Sequence, residues 1–139
     1  MHTSSRDASI GEATHALVLA VAAGVEGLTG LAMLIAPFVV TQLLLGGDIP
    51  TVAVGLARLG GAALLSLAIA AWPDAGSTAQ SRRSLPALLT HNLLTVVLLL
   101  FLGIRGVWLG ILLWPAVVLH AFLTVLLARI WASQMAEEQ

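Results

Sequence analysis

ALLTHNLLTVVLLLFLGIRGVWLGILLWPAVVLHAFLTVLLARIW, residues 87–131, decides the fold. Its only charged residues are Arg105 and Arg129. Two apolar blocks, Ala87–Ile104 and Val107–Trp131, flank the turn Gly103-Ile104-Arg105-Gly106. A membrane-crossing helix takes ~20 apolar residues, and each block is long enough. The turn is so short that the helices it joins must be antiparallel neighbours. Leu and Ala dominate, with no alternation of apolar and polar positions, so the blocks read as helices and not as strands of a barrel.

Working outward, the same texture recurs twice upstream. The stretch PDAGSTAQSRRSLP, residues 73–86, is the only long polar loop, and Thr51–Trp72 before it is a second apolar block. Ahead of GGDIP (Gly46–Pro50) lies another, whose span is placed at Thr14–Val40 with Pro37 kinking or ending its core. That block is too long for the ~7–15-residue apolar region of a signal peptide, so it is expected to stay as the first helix. The expected architecture is therefore all-α: an integral membrane protein, one membrane domain over residues 1–139. Its spans, near 14–40, 51–72, 87–104 and 107–131, form an up-down-up-down four-helix bundle.

Composition agrees. Of the 139 residues 59% are hydrophobic and 9% charged, where an average soluble domain has roughly 25% charged. Too little polar material remains to cover a soluble domain of this size. The net charge of −1 leaves no basic footprint for nucleic acid. With no cysteine there is no disulfide, thiol nucleophile or thiolate metal site.

An even number of spans puts both termini and the 73–86 loop on one side. That side gathers Arg6, Arg82, Arg83 and Arg129, against Arg105 and Asp48 on the other. The positive-inside rule then predicts cytoplasmic termini in the inner or plasma membrane. Trp72, Trp108 and Trp131 read as interface anchors.

The candidate site residues are the polar ones inside the apolar blocks. Glu26 has Ala22, Ala23, Thr29 and Gly30 three or four positions away, and Arg58 has Gly55, Gly61 and Ala62 in the same relation. Small residues let helix backbones approach closely. A charge near the midplane costs at least about 2.5 kcal/mol, so a Glu26–Arg58 ion pair is the expected organising contact of the first hairpin, or else Glu26 serves as a proton site. His91 and His120 lie almost equally far along the chain from the Arg105-Gly106 turn, which puts both at one depth. Hydrogen bonds to Asn92, Thr95 or Thr124 would suffice to hold them. A proton relay with Glu26 is a second use, and axial ligation of a haem b a third. Pro115, inside the fourth block, is expected to kink it.

The chain has no phosphate-binding glycine loop, no H-E-x-x-H, no nucleophile elbow and no placed carboxylate pair, so it is not expected to be an enzyme, nor to need a metal or cofactor unless the histidines hold haem. In size, helix count and its lone carboxylate in the first span, Glu26, it resembles the small multidrug-resistance transporters. It lacks their aromatic substrate cage, and Arg58 has no counterpart there. The string Arg58-Leu59-Gly60-Gly61 after the Gly-rich hairpin resembles the small DoxX-type bacterial membrane proteins. The leading expectation is a non-enzymatic accessory or scaffolding component, self-associating or beside a larger membrane partner in the lipid bilayer. The alternatives are a proton-coupled small-molecule carrier using Glu26, and a haem- or quinone-associated redox protein using His91 and His120.

Overall fold

The computed structural model describes residues 3–47, 49–73, 78–106 and 109–137. Among these, five helices follow one another: α1 (Thr3–Ile35), α2 (Pro37–Leu45), α3 (Thr51–Ala71), α4 (Thr78–Arg105) and α5 (Leu113–Glu137). Four are long and apolar enough to cross a bilayer, over Gly11–Ile35, Thr51–Ala71, Arg82–Arg105 and Leu113–Ala136. Large apolar side chains stand on their outer faces, among them Leu28, Leu59, Val97 and Phe122. An outside richer in such groups than the inside suits hydrocarbon as solvent, and the chain has the fabric of a membrane protein.

Proline positions account for the boundaries. The first apolar block is two helices because Pro37 has no N–H to give and its ring crowds the preceding turn. The chain breaks at Ala36 (φ −128°, ψ 55°), and Pro37 restarts it as the first residue of α2. Thr41 Oγ1 donates back to the Pro37 carbonyl at 2.6 Å. Pro115 was expected in mid-helix, but α5 begins only at Leu113, which places Pro115 in its first turn. A missing donor is harmless there, because the first four N–H groups of a helix have no partner within it. The expected kink is therefore an entry. Val107, which was to open the fourth helix, and Trp108 lie outside the described residues, as does Asp48. The expected loop also shrinks, because α4 already starts at Thr78 and carries Pro86 inside it. The polar N-terminal segment is likewise helical from Thr3.

α1 packs chiefly on α3, and α4 on α5. The first contact is backbone against backbone. A Cβ on Gly30 would lie 2.7 Å from the Gly61 carbonyl oxygen, and one on Gly61 would lie 2.7 Å from that of Gly30. Gly27 faces Ala68 and Gly60 faces Met33, so the contacts run in opposite order along the two helices. At the α4–α5 turn, Gly103 abuts Leu113 and Trp114. Across from it the end of α2 meets the segment before α5, where the Leu112 amide donates to the Leu43 carbonyl at 2.9 Å. Gly110 fits there because any Cβ would overlap the Leu43 and Leu44 backbone.

The interior consists of two apolar layers. One gathers Leu19, Ala22, Ala23, Ala71, Leu85, Leu88, Leu89, Leu123, Leu127 and Ile130, and the other Leu99, Leu113 and Val117. On α1 Glu26 follows the first layer's Ala23. On α4 and α5, Asn92 lies between Leu89 and Leu99, and His120 between Val117 and Leu123. The polar side chains thus occupy the seam between the two layers.

Candidate functional site

Helical phase determines what Glu26 meets. α3 turns Ala57, Gly61, Ala68 and Ala71 inward, and each residue advances about 100° around a helix of 3.6 residues per turn. Arg58, one step from Ala57, therefore points away and is exposed. The expected Glu26–Arg58 ion pair is not formed. The glycines flanking the two charges do meet, but the charges themselves diverge.

Glu26 faces α4 and α5 instead, and only 1% of it is exposed. His91 Nε2 lies 3.1 Å from its Oε2. Asn92 Nδ2 donates to its Oε1 at 3.3 Å, and His120 Nδ1 lies 3.7 Å from the same oxygen. Asn92 binds the group together: its Nδ2 also donates to the Leu88 carbonyl at 3.0 Å, and its Oδ1 meets His120 Nδ1 at 2.8 Å. The two imidazoles stand edge to face, with ring centroids 6.4 Å apart and planes at 77°. One turn beyond each histidine, a threonine takes up a polar group: Thr95 Oγ1 lies 3.4 Å from His91 Nε2, and Thr124 Oγ1 donates to the His120 carbonyl at 2.7 Å.

Three helices therefore converge on one carboxylate, which is surrounded by nitrogens from three side chains. Counted along the chain at 1.5 Å per residue, each member lies at least about 10 Å from both ends of its apolar segment. Exposure is uneven. The His120 side chain is 9% exposed, whereas His91 is 29% exposed and forms the more open side of the cluster. Among the described residues, no buried side-chain nitrogen or oxygen is left without a hydrogen bond. A network completed to this degree in an apolar interior is rigid and specific, because each loose end would cost the full desolvation of that group.

Among the described residues no three His or acidic side chains are placed to hold a metal ion, since here the donors pair with one another. Two axial histidines must face each other across a porphyrin, and here both approach the Glu26 carboxylate instead. The sequence reading offered Asn92 only as a hydrogen-bond partner for the histidines, whereas it bridges Glu26 and His120. An amide inside an apolar run, one turn after Leu88 and beside a histidine, was the available signal. Comparisons with protein-family models, with curated proteins and with solved structures give no match.

Proposed function

We propose that this chain is a small multi-pass membrane protein whose core carries a proton-exchange site, Glu26 with His91, that couples proton movement to the passage of a small hydrophobic or cationic molecule. The four apolar helices cross the bilayer up-down-up-down, with both termini in the cytoplasm of the cell whose inner or plasma membrane holds it. The observation carrying the reading is the buried carboxylate in direct contact with a partly exposed imidazole. A charge costs at least about 2.5 kcal/mol at this depth. Buried ion pairs can often be replaced by apolar packing with no loss of stability. A charged group buried at that cost, with a partly exposed imidazole beside it as exchange partner, suits a site that takes up and releases a proton.

The test is reconstitution into lipid vesicles under an imposed pH gradient, with uptake followed for a panel of small lipophilic amines and neutral solutes. Wild-type protein is expected to drive uptake of at least one class. Glu26→Gln is expected to abolish it while expression and helix content stay unchanged. Equal uptake by the variant, or none above empty vesicles for any solute, contradicts the reading. Sidedness is checked separately. The native chain has no cysteine, so single cysteines placed at either terminus should be labelled in intact cells only by membrane-permeant reagents.

A second reading, an accessory subunit that self-associates or sits beside a larger membrane protein, draws on the small mass outside the four spans. Purification from native membranes in mild detergent tests it. Co-purification of a stoichiometric partner supports it, and a lone monomer counts against it.

A further inference from the structure

The two histidines contact the same carboxylate, yet their surroundings assign them different protonation chemistry. The Leu88 carbonyl can only accept a hydrogen bond, so the Asn92 group 3.0 Å from it must be the amide NH2. That orientation leaves Asn92 Oδ1 facing His120 Nδ1 at 2.8 Å. An amide oxygen cannot donate, so the hydrogen in this contact belongs to His120 Nδ1. The reverse orientation of the amide would set its oxygen against the Leu88 carbonyl oxygen and Glu26 Oε1 together.

From this chain of donors we infer that Asn92 is a positioning residue that locks His120 in the Nδ1–H form, and that the exchangeable proton of the site is carried by the His91 Nε2–Glu26 Oε2 contact alone. His91 is free of any such lock. Its Nε2 faces Glu26 Oε2 and the hydroxyl of Thr95, which can donate or accept. With Glu26 ionised, Nε2–H donates to the carboxylate. A proton passed to Nδ1 from hydronium, which is left as water, then lets the Nε2 proton pass to Oε2. One N–H bond forms at Nδ1, one breaks at Nε2 and one O–H bond forms. The imidazole ends neutral in its other tautomer, beside a neutral carboxyl. The titratable groups facing this contact are Glu26 from α1 and His120 from α5; α3 supplies none, since Arg58 is turned outward. The exchange role of His91 rests on the proposed proton coupling, whereas the lock on His120 does not.

The experiment is NMR on histidine-labelled (15N, 13C) full-length protein in lipid nanodiscs, where the ring nitrogen and Cδ2 shifts report each tautomer. Single His→Gln variants assign the signals. His120 is expected as a single Nδ1–H form that survives Glu26→Gln. Asn92→Leu should lose that form, with Nε2–H signal appearing at the same ring. His91 shifts should move on Glu26→Gln. An Nε2–H His120 in the wild type overturns the inference, even if Asn92→Leu fails to fold. So does a His120 tautomer unchanged by Asn92→Leu, or a His91 indifferent to Glu26→Gln. Failure here and failure of the carrier reading are separable. A locked His120 without vesicle uptake removes the carrier and keeps the lock, and uptake with an unlocked His120 does the reverse.

Discussion

At the scale of single residues, Glu26 and Arg58 show how a charge inside an apolar segment is accommodated in two ways. Glu26 is short, sits deep in the core and is met by nitrogens from α4 and α5. Arg58 is long and faces outward about seven residues, or roughly 10 Å, from the start of α3. Helical side chains lean toward the N-terminus, so its guanidinium is directed toward the nearer end of its helix. Gly55, one turn closer to that end, leaves open space beside it. In a bilayer that geometry lets the charge snorkel to the headgroups while its stem stays in hydrocarbon. Arg58→Leu should therefore change unfolding free energy in detergent or bicelles by no more than about 0.5 kcal/mol, the range of surface substitutions. A loss of about 3–5 kcal/mol, as when one partner of a buried ion pair is removed, would show that Arg58 does pair with an acid inside the protein. Sequence alone could not choose between these fates. Both charges lie on faces with small residues, and only the rotational phase of each helix separates them.

At the scale of elements, glycine spacing was readable as close helix approach, and Gly30 and Gly61 do carry it. The same reading could not tell which glycines would be used. Gly55 and Gly61 lie on one helix, yet a Cβ on Gly61 meets backbone whereas one on Gly55 meets nothing. Gly61→Ala should thus destabilise the protein by about 1–3 kcal/mol through overpacking of α1 on α3. Gly55→Ala should be neutral, or stabilising by up to about 1 kcal/mol through helix propensity. Unfolding of both variants in mixed micelles checks this, and equal effects would contradict the Gly30–Gly61 contact. Prolines gave a similar mixture. Pro37 breaks the first apolar block as its chemistry requires. Pro115 does not kink α5, because the start of that helix is decided by the tertiary contact of Gly110 and Leu112 with the end of α2, which no local pattern encodes.

At the scale of the whole molecule, the four long apolar helices were legible because apolar runs of this length have few other uses. His91 and His120 do meet, as their similar distance along the chain from Arg105-Gly106 suggested. The tight turn expected there is replaced by a longer connection, with α4 ending at Arg105 and α5 beginning at Leu113. The partner of Glu26 was left open between Arg58 and the two histidines, because it depends on how the α1–α3 pair is rotated against the α4–α5 pair. That rotation brings Glu26, His91, Asn92 and His120 into one network between two apolar layers, and the functional proposal stands on it. The most direct test is a double-mutant cycle on unfolding free energy, combining Glu26→Gln with His91→Gln and, in parallel, Glu26→Gln with Arg58→Gln. Residues in one buried network couple by about 0.5–3 kcal/mol, and distant ones add to within about 0.5 kcal/mol. Coupling in the His91 cycle with additivity in the Arg58 cycle is the predicted result. Additivity at His91 together with strong coupling at Arg58 would contradict the account, because Glu26 would then face α3.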